Sequence, residues 1–179
     1  MDTVVEEKDL GIIVRNDLKV SSQCVKVVKT ANQVLGMIKR TFSYKPIDKY
    51  FPLYKSIVRP HLEYFKQAWS PHLRKDIDLL EGVQRRATRM VLGWDKHCYS
   101  DRLTICNLLI LEDRRLRGNL IQVFKILKGF DKVNYQNFLK LDQDKSGQGH
   151  TMKVLVKPRA RLDIRNHFFS YRIINSWNK

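Results

Sequence analysis

Cysteine is scarce in this chain, and acidic residues are heavily outnumbered by basic ones. Cys24, Cys98 and Cys106 make an odd set with no C-x-x-C pair, which argues against a disulfide framework and suits free thiols in a reducing compartment. A zinc site on His97, Cys98 and Cys106 would lack a fourth ligand and the short spacings of structural zinc, so no metal is expected. His61 and His72 are too far apart in sequence to form a helical pair. No stretch approaches the length of a membrane-spanning helix, and the first residues carry acid where a secretory leader needs base and an apolar run. A Gly-rich phosphate loop, a G-x-S-x-G elbow, internal repeats and low-complexity tracts are also missing, so nucleotide hydrolysis and serine esterase chemistry have no support. The expectation is an intracellular chain, cytoplasmic or nuclear, with no cofactor, no membrane and no small-molecule substrate.

What is present is positive charge. Thirty-four Lys and Arg stand against 18 Asp and Glu, a formal net charge of +16. A surface of that sign draws polyanions, nucleic acid first. With 179 residues, 43% of them apolar, the chain is long enough to bury one core and too apolar to be disordered.

Periodicity predicts a mainly α fold: a helical bundle with one or two short N-terminal strands and a small C-terminal strand and helix. Leu10 to Val14 is apolar on both alternating sets, as in a strand covered on both faces, with Thr3 to Val5 or Met152 to Val156 as its neighbours. Ser21 or Ser22 caps a first helix carrying Cys24, Val28, Ala31, Leu35 and Ile38, and running to about Phe42. Pro46 opens a second helix that Pro60 stops, and a short third helix holds Leu62, Phe65 and Trp69. Asp76 caps a fourth with Ile77, Leu80, Gln84, Ala87 and Val91 on one face, and Gly93 ends it. Ser100 caps a short helix. The next, Glu112 to Lys128, has its stripe at Leu116, Leu120, Val123, Phe124 and Leu127 and stops at Gly129. Four segments follow: 1–20 as a strand remnant, 21–140 as the bundle, 141–150 as a polar, glycine-bearing linker, and 151–179 as a strand at Met152 to Val156 with a helix over Phe168 to Trp177.

The arginine clusters carry the sharpest chemistry. Arg85, Arg86 and Arg89, with Arg114, Arg115 and Arg117, fall on the polar sides of two amphipathic helices, where guanidinium groups can grip phosphates with paired hydrogen bonds. Lys66, Arg74 and Lys75 are further candidates. The plainer alternative is a solvated face with local pairs such as Glu81 and Arg85, one turn apart. Tyr64, Phe65 and Trp69 recur at spacings that favour the core over base stacking, and Trp94 is the more exposed aromatic. Two-metal nucleotidyl transfer needs converging carboxylates, and there is no Asp-Asp pair. Asp76 and Asp78 sit two apart on a predicted helix and point to different sides, while Asp142 and Asp144 fall in the linker.

Three blocks carry a resemblance: Leu53 to Pro71 (LYKSIVRPHLEYFKQAWSP), Val83 to Arg89 (VQRRATR) and Leu111 to Gly118 (LEDRRLRG), joined near the end by Phe168, Phe169, Arg172, Trp177 and Asn178. In this order they resemble the region after the catalytic palm in reverse transcriptases of non-LTR, LINE-type (jockey-like) retrotransposons, from about Asp9 almost to the last residue. Position 65, often cysteine in that family, is Phe65. The resemblance implies the palm's last strand and a thumb that closes on template and primer, with the polymerase carboxylates upstream. The expected function is therefore that of a palm-less fragment of an RNA-directed DNA polymerase, not itself an enzyme. It would bind RNA, DNA or an RNA/DNA hybrid without reading sequence, and could dock a missing palm. The alternative is an inert or repurposed helical bundle acting as a protein-interaction module.

Overall fold

Two residues with positive φ set the first element. Leu10 (φ 45°) and Gly11 (φ 85°) turn the chain between β1 (Glu6–Asp9) and β2 (Ile12–Arg15), an antiparallel hairpin in which Asp9 faces Ile12. Positive φ at both central residues is the pattern that matches strand twist in a two-residue hairpin, and glycine adopts it without a Cβ penalty. The computed structural model describes residues 5–44, 46–92, 97–141 and 155–179. Within them the chain is a mainly helical bundle preceded by these two short strands. The hairpin corrects the sequence expectation. Only Ile12 of the apolar run is buried, Val14 is exposed and Leu10 is the turn itself, so one face is covered and not two. The partner strand is the charged segment Glu6–Asp9, which no apolar pattern marks.

Residues 1–114 form one compact unit and residues 115–179 another. In the first, α1 (Ser21–Thr41) buries Cys24, Val27, Val28, Ala31, Leu35 and Ile38 on one stripe, as its 3.6-residue spacing requires. Its serines do not cap it. Val20 precedes the helix, the Ser21 hydroxyl donates to Asp76 Oδ2 at 2.6 Å, and the Ser22 hydroxyl donates to Glu6 Oε1 at 2.7 Å. Gln23 accepts the Ile13 N–H at 2.9 Å, so α1 also satisfies the hairpin's backbone.

Pro60 does not end the second helix. The chain runs through α2 (Ile47–Leu53), a π turn over Tyr54–Val58 and α3 (Arg59–Glu63). A proline ring clashes with the carbonyl four residues back in an α-helix. Here the turn is widened, with Arg59 N–H donating to Tyr54 O, and the ring is admitted. This leg covers α1 with Tyr50, Phe51, Tyr54, Val58 and Leu62. The expected third helix stops short. After Glu63 the chain makes a turn, so Trp69 alone of the three aromatics is buried, while Tyr64 and Phe65 are exposed.

The fourth helix, α4 (Arg74–Leu92), packs along α1. Contacts at Ser21–Asp76 and Asn32–Arg86 advance together along both helices, so the two run parallel. Asp76 is buried in α4's first turn, where the helix N-terminus favours a carboxylate, and Asp78 points away to pair with Arg74. A short helix, α5 (Tyr99–Ile105), follows Cys98. Ser100, expected as its cap, lies inside it.

Helix α6 (Leu111–Leu127) carries the divide between the units. Its buried residues are Leu111, Arg115, Asn119, Val123 and Ile126, whereas Leu116 and Phe124 are exposed. The stripe is therefore rotated from the apolar one expected, and it carries two polar side chains inward. The helix ends in a Schellman motif: Gly129 (φ 73°) donates to Ile126 O and Phe130 to Lys125 O.

In the second unit Val123, Ile126, Leu139, Leu155, Phe169, Ile173 and Ile174 share a core. Leu141 and Leu155 form an isolated bridge, and the Asn178 amide exchanges two hydrogen bonds with the Leu155 backbone, at 3.0 and 2.8 Å. The single helix expected over Phe168 to Trp177 is two short ones, α8 (Phe169–Arg172) and α9 (Ile174–Trp177), preceded by α7 (Asp163–Asn166). Thr3 and Val4, the stop at Gly93, Trp94, most of the expected linker with Asp142 and Asp144, and the expected strand residues 152–154 lie outside the described residues. No helix among the described residues is long and apolar enough to cross a membrane.

Candidate nucleic-acid interface

The candidate basic residues have different fates, set by which face of which helix each one occupies. On α4, Arg86 is exposed, and its guanidinium donates to Asn32 Oδ1 on α1, one turn beyond the exposed Lys29. Arg85 is half-buried and lies over the Tyr99 ring, 5.1 Å from its centroid. Arg89 is half-buried and partnered. At the start of α4, Lys75 is exposed, while Arg74 is drawn to Asp78 at 3.2 Å and Glu112 at 4.0 Å. Lys66 is half-buried in the turn after α3.

The second cluster is dispersed. Arg114 forms an ion pair with Glu63 of α3. Arg59, on the same leg, has its pKa lowered first by burial and then by the charge of Arg114. Arg115 is only 6% exposed, which corrects its assignment as a phosphate contact: the rotated stripe of α6 turns it into the protein. Burial and, second, the charge of Arg115 bring the pKa of Arg172 down to about 10. Arg117 alone of the three is exposed. Among the candidates the exposed side chains are thus Arg74, which is paired with acids, Lys75, Arg86 and Arg117, while Lys66, Arg85, Arg89 and Arg114 are half-buried.

Glu81 does not pair with Arg85. It is buried, and it accepts the Tyr99 hydroxyl, Gln84 Nε2 at 3.3 Å and the Leu111 backbone N–H at 3.0 Å. A carboxylate against the first N–H of α6 is favoured by the helix dipole as well as by the hydrogen bond. Gln84 completes the network, taking the Tyr54 hydroxyl at 3.1 Å and donating to Leu109 O at 2.9 Å. Burial, and for Tyr99 the bond to Glu81, push both phenols well above the ordinary tyrosine range. This polar core ties the π turn, α4, α5 and α6 together.

Comparison with protein-family models, with curated proteins and with solved structures gives no match. Two features were missed from sequence. Arg102 is buried, with its Nε on Thr88 Oγ1 at 3.3 Å, its Nη1 on His97 O at 2.6 Å and its guanidinium 5.6 Å from the Tyr99 ring centroid. Tyr99 thus carries Arg85 and Arg102, and nothing in the spacing of α5 marks either contact. Glu81 and Gln84 left a faint signal, since Gln84 falls in the apolar series of α4.

Proposed function

We propose that this chain is the thumb and post-palm segment of a non-LTR retrotransposon reverse transcriptase, and that it holds RNA, DNA or an RNA/DNA hybrid without reading its sequence. The observation that carries the reading is the outer edge of the α1–α4 pair. There Arg86 and Lys75 on one helix and Lys29 on its parallel neighbour keep solvent-facing cations in a chain of net charge +16. Such contacts fix a backbone in place but carry no base information. The carboxylates of nucleotide transfer would come from a palm, which this chain would dock. Purified alone, it is expected to extend no primer.

Titrating a labelled RNA/DNA hybrid at several salt concentrations tests the binding. Log affinity should fall steeply with log salt, by about 0.9 for each phosphate neutralised on duplex DNA. Absence of binding at low salt would overturn it. A second reading, a bundle that docks another protein, is favoured by Ile105, Leu109 and Ile110, three exposed aliphatic side chains close in sequence.

A further inference from the structure

The turn after α3 holds two aromatic side chains in solvent. Tyr64 is 57% and Phe65 47% exposed, with ring centroids 6.3 Å apart and planes inclined at 39°. Phe65 has φ 47°, a left-handed backbone that disfavours any side chain and is a clear outlier for a bulky one. A turn selected for stability alone would place glycine or asparagine there.

Rigid anchors hold this conformation. The buried Trp69 donates its indole N–H to Tyr64 O at 2.8 Å, and Ala68 N–H closes the turn on Phe65 O at 3.0 Å. On the other side the Tyr64 hydroxyl donates to Leu10 O at 3.3 Å. The hairpin tip rests against the ring, where a Cβ on Gly11 would lie 3.8 Å from Tyr64 Cε1. Little conformational freedom is left to lose on binding.

Charge decides what such a platform would meet. Lys26 reaches the hairpin tip, donating to Gly11 O at 2.7 Å, and Lys66 follows Phe65 directly. Glu63, the acid beside the rings, is paired with Arg114, which leaves Asp9 as the acid at this end of the hairpin. Exposed aromatics bordered by cations are the arrangement on which unpaired bases stack while the backbone is held by charge.

We infer that Tyr64 and Phe65 form a stacking platform for an unpaired base of a single-stranded nucleic acid, a contact that rests on the nucleic-acid reading above but is separate from its phosphate contacts. The test is fluorescence anisotropy with labelled oligouridylate, its DNA counterpart and the same backbones bearing abasic positions. The base-bearing strand should bind on the order of tenfold tighter than the abasic one. Tyr64→Ala and Phe65→Gly should each remove most of that preference and leave the salt slope unchanged. Phe65→Gly should also raise the urea midpoint, because glycine relieves the backbone, so its loss of binding cannot come from unfolding. Steep salt dependence with no preference for bases, or a preference that survives Phe65→Gly, overturns this inference alone. Failure of every strand to bind at low salt overturns the nucleic-acid reading, and this inference with it.

Discussion

Glu81 shows how far one side chain can depart from its expected role. At one turn from Arg85 it reads as the surface partner that would neutralise the cluster, yet it is buried as the acceptor for Tyr99, Gln84 and the first N–H of α6. Its replacement by alanine leaves several buried donors unmatched, each costing about 1–3 kcal/mol. Glu81→Ala is therefore expected to lower stability by about 3 kcal/mol in urea unfolding, where a surface pair would cost under about 1 kcal/mol. The cysteines divide on the same principle. Cys24 and Cys106 are buried, and burial pushes the Cys106 thiol up to about 11, whereas Cys98 is exposed. Iodoacetamide at about pH 8 should modify Cys98 alone in the folded protein, as read by peptide mass mapping.

At the scale of elements, α1, α4 and α6 are legible in the sequence because each is long enough for a 3.6-residue period to repeat several times. The stop at Gly129 is legible because only the Schellman turn needs its positive φ. Gly129→Ala should cost on the order of 1 kcal/mol in urea unfolding. What was not legible depended on partners distant in sequence. β1 is charged throughout and exists only because β2 pairs with it. Pro60 reads as a stop unless the turn before it widens, and the inward face of α6 includes the polar Arg115 and Asn119, which an apolar count does not mark. The candidate interface follows the same division. The cations of α4 were readable as a row, but which of them face solvent was not. Arg86→Ala, on the outer edge, should reduce the slope of log affinity against log salt by about 1 and leave the urea midpoint nearly unchanged.

For the molecule as a whole, pH adds up contributions that no single contact reveals. Burial raises the phenols of Tyr50, Tyr54 and Tyr99 above their ordinary value. The folded chain therefore keeps protons that the unfolded chain releases near pH 10, so these three phenols lower stability as pH rises through that point. They are opposed by Arg172, whose lowered pKa of about 10 acts the other way. Thermal unfolding followed from about pH 8 to pH 11 should show a declining Tm with no loss on the neutral side. A Tm that rose over this interval would mean the three hydroxyls are not held as described.

The parallel course of α1 and α4 has a consequence for synthesis. Ser21 and Asp76 meet across 55 residues of chain, and the leg from Ile47 to Glu63 must be laid down between them. A ribosome releases α1 first, with its apolar stripe bare. The returning leg shields part of that stripe, and the remainder waits for α4 to emerge. Until then the nascent chain offers a sticky amphipathic rod, a natural client for a holdase.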